Sequence, residues 1–122
     1  MVVERYVAEV LNGHDLGALG ELVADETLKQ RVRLFLDAFP DLEVETNLAA
    51  REGDLVAVNL TGRATHKGIF QGIPATGRRW AATCSAFFRV ENGRIADFWI
   101  NWDELGILEQ LGGVRRAETA SV

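Results

Sequence analysis

Cysteine and histidine are scarce in this sequence, and each scarcity closes off a class of function. The single cysteine, Cys84, leaves no intramolecular disulfide and no thiolate metal cluster, which fits a reducing interior. The two histidines, His14 and His66, are not at ligand spacing, and no dense acidic cluster joins them, so no metal is expected. No apolar run approaches the ~18 residues of a membrane span. Residues 1–10 carry acids in an amphipathic pattern and lack the apolar core of a secretory signal. Basic residues number 13 against 18 acidic, for a net charge of −5, and they are scattered in pairs such as Arg31 and Arg33, Arg78 and Arg79. No stripe tracks a phosphate backbone, so nucleic acid is not an expected partner. There is no GxxxxGK[ST] phosphate loop and no GxSxG around Ser85, so phosphoryl transfer and serine hydrolysis have no visible machinery. These absences read as a cytoplasmic, soluble protein with no visible metal site.

What remains is a good core. A chain of 122 residues, 48% of them hydrophobic, makes one domain that hides roughly two thirds of its unfolded surface. Val3, Tyr6, Val7, Val10 and Leu11 recur at helical spacing. Asp15 is placed to cap a second helix, and Thr27 a third that ends before Pro40. From residue 41 the period changes to two. Leu42, Val44, Thr46 and Leu48 alternate with polar residues, and a hairpin turn follows at 52–54. Residues 55–66 form a long second strand, with Val56, Val58, Leu60, Gly62, Ala64 and His66 on one face. A Gly-rich loop (67–78), a third strand (79–90), a tight turn at 91–93 and a fourth strand (94–102) come next. A short helix from 104 to 111 follows, with Leu105, Leu108 and Leu111 as its apolar side, ended by Gly112-Gly113. The expected layout is α+β: N-terminal helices over one face of an antiparallel meander, then a C-terminal helix. Residues 1–113 form the domain, and 114–122 read as a flexible tail.

The fourth strand carries the most chemistry. Strict alternation puts Ile95, Asp97, Trp99, Asn101 and Asp103 on one face and Ala96, Phe98, Ile100 and Trp102 on the other. The first face mixes an aromatic wall with amide and carboxyl groups, the composition of a ligand pocket. The second is purely apolar and needs a partner, either a helix layer or a second subunit. Asp103 stands at a strand–helix junction, where it can cap the last helix, serve a site, or both. His66 ends its strand beside the Gly-rich loop and reads either as a structural histidine or as a site residue.

Four segments, residues 39–43 (FPDLE), 65–79 (THKGIFQGIPATGRR), 88–95 (FRVENGRI) and 99–112 (WINWDELGILEQLG), resemble the SnoaL-like polyketide cyclase family of the nuclear-transport-factor-like superfamily. The resemblance implies a cone-shaped α+β fold with a curved antiparallel sheet. It also implies intramolecular aldol chemistry without metal or cofactor, in which one pocket aspartate removes a proton beside a carbonyl and returns one to the forming alkoxide. In the W-x-x-x-D pattern with Trp99, Asp103 matches that aspartate, and His66 is expected near the pocket mouth as a hydrogen-bond donor or second acid/base. Trp99, Asn101, Phe35, Trp80 and Phe88 complete the expected substrate-binding set. The expected partner is a small hydrophobic or polycyclic molecule, and the expected assembly is a homodimer through Phe98, Ile100 and Trp102. The chain departs from the family pattern where Ala24-Asp25-Glu26 runs almost straight into the third helix, about a strand and a loop short. That departure keeps a second expectation open: a non-catalytic module that uses the same cone to hold a hydrophobic ligand or to dimerise. An epoxide hydrolase ranks lower, because no second pocket acid with a water-positioning set is visible.

Overall fold

The computed structural model describes residues 1–114, so all but the first residue of the expected tail lies outside the described residues. The first helix, α1 (Val2–Arg5), passes directly into a π-helical stretch, Tyr6–Asn12. The wider π turn keeps Tyr6, Val7, Val10 and Leu11 all buried. Asp15 caps α2 (Leu16–Leu22) by accepting from the Ala18 amide at 3.0 Å, as its position predicts. Helix α3 (Glu26–Ala38) starts earlier than expected. Asp25, not Thr27, is its cap, accepting from the Leu28 amide at 2.8 Å. The helix ends at Phe39, since the residue before Pro40 is pushed out of helical backbone.

Four strands, β1 (Glu43–Glu52), β2 (Leu55–Thr65), β3 (Arg79–Glu91) and β4 (Arg94–Trp102), form one curved, unclosed antiparallel sheet in the order β1-β2-β3-β4. The β3–β4 turn is Asn92-Gly93, both with positive φ, the backbone that a two-residue hairpin requires. The inner face of β2 and β3 carries Val58, Leu60, Ala64, Trp80, Ala82, Cys84, Ala86 and Phe88, all buried under the helices. The α+β architecture expected from the sequence is the one observed.

Two register shifts depart from strict alternation. In β1 the pairing slips between Thr46 and Leu48, which leaves Leu48 71% exposed instead of inward. In β4 the consequence is larger. Val90 pairs with Ile95 but Arg89 pairs with Asp97, so Ala96 is an extra residue opposite none. One inserted residue exchanges the faces of everything beyond it. Ile95 is fully buried, and past the bulge Phe98, Ile100 and Trp102 turn inward against the core while Asp97, Trp99 and Asn101 are exposed. The expected assignment of faces is corrected accordingly. Trp99 and Asn101 belong to the outer face, and the partner of Phe98, Ile100 and Trp102 is the helix layer, not a second subunit. Helix α4 (Glu104–Leu111) likewise buries Ile107 and Leu111, while Leu105 is half exposed.

Polar side chains fix the helices to the sheet. The Arg94 guanidinium donates to the carbonyls of Gly20 and Val23 at 2.9 Å and of Glu21 at 3.1 Å, satisfying groups that the end of α2 leaves open. Asn12 pairs with both backbone groups of Val44, and Gln110 does the same with Ala81, so each amide acts as a one-residue strand neighbour. The short α2–α3 link touches β4 through a single parallel bridge, Val23 to Ile95, with the Ala24 amide donating to the Ile95 carbonyl at 2.9 Å.

The inner end of β4 reaches across the sheet. A Cβ on Gly62 would lie 2.6 Å from the Trp102 ring, so the indole rests on β2 only because residue 62 has no side chain. Phe35 stacks on that indole at 5.2 Å and Trp80 meets it edge-on at 5.8 Å. Phe39 and Phe70 continue the cluster at 5.0 Å from each other. Gly62→Ala is expected to destabilise the fold by about 1–2 kcal/mol net, an overpacking cost of about 1–3 kcal/mol reduced by a strand-propensity gain of about 0.5–1 kcal/mol. Urea unfolding measures this, and a more stable variant would mean that the indole is not seated on Gly62.

Candidate functional site

Between the inner sheet face and α3 lies a cavity of about 620 Å³, open on one side. Its size suits a drug-sized or tricyclic molecule. The floor is Leu60, Cys84, Ala86 and Phe88. The small residues Cys84 and Ala86 hold the space open where larger ones would fill it. Tyr6 and Leu11 from the π-helical stretch close the inner end, Leu28, Val32 and Phe35 form one wall, and Ile100 and Trp102 the other. Arg31, Leu34, Ile69, Gln71 and Glu104 rim the mouth, with Phe70 packed behind them. Leu34 and Ile69 are exposed by 60% and 73%, so the rim offers apolar surface to whatever enters.

Of the residues expected at the site, Phe35 and Phe88 line the cavity. Trp80 is buried behind the wall, in contact with Phe39, Phe35 and Trp102. His66 is fully buried and lies off the cavity. Its Nδ1 lies 3.0 Å from the Thr76 hydroxyl and accepts from the Thr76 amide at 3.2 Å, while its backbone pairs with Arg78 and Gly77. It therefore ties both ends of the 67–78 loop together, and Phe70 anchors that loop in the aromatic cluster. Trp99 and Asn101 lie outside, as the bulge dictates. Asp103 is exposed. One carboxylate oxygen, Oδ1, caps α4 by accepting from the Gly106 amide at 3.0 Å, and Oδ2 has no hydrogen bond among the described residues. Gly106 permits this, because a Cβ there would collide with the carboxylate. The residues on either side of Asp103 in sequence, Trp102 and Glu104, both line the cavity.

Sequence reasoning did not assign Tyr6, Arg31, Cys84, Trp102 or Glu104 to the site. The helical period placed Tyr6 inward, but nothing distinguished a cavity wall from packed core. Arg31 lies over the Phe98 ring at 5.6 Å and makes no ion pair among the described residues. Glu104 accepts from Gln71 at 3.4 Å and is the one carboxylate on the cavity wall among the described residues. The described residues include no cluster of three or more metal-ligating side chains. They also include no helix long and apolar enough to cross a membrane.

The same layout recurs in other proteins. A family model described as SnoaL-like polyketide cyclase matches residues 1–111. The chain belongs to the SnoaL-like polyketide cyclase family. IdmH from Streptomyces antibioticus, a candidate polyketide cyclase, superposes with a TM-score of 0.76 at 29% identity, covering 91% of this chain and 96% of its own. TsrD from Streptomyces laurentii superposes at 0.81 with 24% identity over 93% of each chain. A SnoaL-like polyketide cyclase from Agrobacterium tumefaciens gives 0.76 at 24% identity, over 91% of this chain and 95% of its own. At 24% identity the likeness of the last two is one of fold. Comparison of the sequence with curated proteins finds no match.

Within this SnoaL-like cavity, burial pushes the Cys84 thiol up to about 12, against a weaker opposing pull from a backbone hydrogen bond with Asn101. The thiolate is the reactive species, so at about pH 8.5 its population should be on the order of a thousandth. Iodoacetamide is expected to modify native Cys84 far more slowly than a free thiol. Labelling at the free-thiol rate without unfolding would contradict that environment.

Proposed function

We propose that this protein binds a flat, largely apolar carbonyl compound of the polyketide type in the cavity. There it promotes a cofactor-free proton transfer beside the carbonyl, as an intramolecular aldol closure or isomerisation requires. The observation that carries this reading is the aromatic cavity whose one lining carboxylate among the described residues, Glu104, is at the mouth, next in sequence to Asp103. An apolar wall holds the ring system by burial and stacking. A carbonyl substrate delocalises the charge left by its own departing proton, so one correctly placed base suffices.

In this reading the base is Asp103. Its Oδ2 is not used by the helix cap, and its two chain neighbours line the cavity, although Asp103 itself is not among the lining residues. The resemblance supports the reading, because Asp103, in the W-x-x-x-D pattern with Trp99, is the residue matched to the family's pocket aspartate. A second reading gives the role to Glu104, favoured by its position on the wall itself. A homodimer, on either reading, uses the outer sheet face, where Phe87 and Trp99 are exposed by 47% and 45%.

Deuterium exchange of the α-protons of a tetralone, followed by proton NMR, separates the readings. The wild-type protein is expected to accelerate exchange, and Asp103→Asn to lower the rate by about 10²-fold or more, the usual worth of a general base. Glu104→Gln should retain most of the rate. The reverse result transfers the role to Glu104. Ligand binding with no acceleration at all would identify a non-catalytic binding module. Asp103→Asn preserves the cap, since Asn is as good an N-cap as Asp, so its stability should change by only a few tenths of a kcal/mol, roughly. For assembly, light scattering at micromolar concentration should give twice the chain mass, and Phe87→Lys should return it to monomer. A monomeric wild-type protein would rule the dimer out.

A further inference from the structure

The closed end of the cavity holds a polar group that the fold itself does not use. Tyr6 is only 2% exposed and lines the cavity. Its ring meets Phe88 at 5.5 Å, and its hydroxyl has no hydrogen-bond partner among the described residues. The side-chain polar atoms that are both sealed and unpartnered are His66 Nε2 and Trp80 Nε1. The Tyr6 hydroxyl is not one of these, so the small accessible part of this residue includes its oxygen, facing the cavity. Phenylalanine would pack in the same place without leaving a hydroxyl unpaired, so the fold itself has no use for this oxygen. The π-helical stretch that begins at Tyr6 is a rare geometry, frequent at functional sites.

We propose that the Tyr6 hydroxyl donates a hydrogen bond to a carbonyl oxygen at the enclosed end of the bound ligand, so that the cavity selects ketones and quinones over hydrocarbons of the same shape. The proposal rests on the cavity reading above and adds an orientation to it: the ligand enters carbonyl first, with the rim of the mouth at its other end. Burial, and then the neighbouring Cys84, raises the phenol above its ordinary pKa, so Tyr6 stays a neutral donor well into alkaline solution. The remaining polar group at that depth is the Cys84 thiol, a weak donor.

A pair of probes of one shape tests this. 9-Fluorenone carries a carbonyl and fluorene does not. Their dissociation constants are measured for the wild-type chain and for Tyr6→Phe, with the infrared carbonyl stretch of bound fluorenone recorded for both. Fluorenone is expected to bind Tyr6→Phe about 3–10-fold more weakly, the worth of one neutral hydrogen bond. Fluorene should bind the variant as well as or better than the wild type, and the carbonyl stretch should lie lower in the wild-type complex. Equal loss of both probes, or unchanged fluorenone affinity with an unshifted stretch, would overturn the role of Tyr6 and leave the cavity as a binding site. Failure of both probes to bind the wild-type chain would overturn the cavity reading and the Tyr6 role with it. A thermal melt of Tyr6→Phe at or above the wild-type midpoint is also expected, since no internal hydrogen bond is lost.

Discussion

The position of one residue, Ala96, decides which face of β4 lines the cavity. By standing unpaired opposite β3 it turns the second half of β4 over, bringing Phe98, Ile100 and Trp102 under the helices and Trp99 and Asn101 into solvent. Without the bulge the wall opposite α3 would be Trp99 and Asn101, and the outer face would carry three large apolar side chains. With it, the Trp102 indole reaches over Gly62, meets Phe35 and Trp80, and sets the end of the cavity. The absent side chain at Gly62 and the bulge therefore act as a pair. Bulges are found where a side chain has to be re-aimed near a site, and this one re-aims a tryptophan.

The same strand end combines structural and chemical roles in a short stretch. Asp103 ends β4 in the hydrogen-bond sense, its amide donating to the Thr83 carbonyl at 2.9 Å, and begins α4 by capping it. A cap occupies one carboxylate oxygen, so a carboxyl group can hold a helix and still offer the other oxygen to a ligand. The cavity itself is nearly without charge. Its ionisable rim groups, Arg31 and Glu104, are exposed, and its enclosed groups, Tyr6 and Cys84, are held neutral by burial. Such a site has no means of orienting a ligand by ion pairing at depth. Shape and single hydrogen bonds must do so, which suits a rigid ring system with few polar substituents better than a flexible charged one.

Much of this was legible in the sequence. The change of period at residue 41, the Asn92-Gly93 turn and Gly112 fixed the order and type of the elements, and β4 and α4 ran where the pattern placed them. The family motifs, concentrated in the last two thirds of the chain, agreed with the model match over residues 1–111. The facing of β4 was not legible, because a bulge leaves the alternating composition unchanged while inverting its meaning. Asp25 was missed as a cap because Thr27, two residues on, satisfies the same local rule. His66 illustrates the third limit: a histidine beside a Gly-rich loop looks alike in sequence whether it faces a cavity or, as here, closes the loop through Thr76.

The account turns on which face of β4 meets the ligand, and intermolecular NOEs reach that point directly. With 9-fluorenone bound to isotopically labelled protein, the account predicts contacts from the ligand protons to the Trp102 and Phe35 side chains and none to Trp99. Contacts to Trp99, with Trp102 silent, would contradict it.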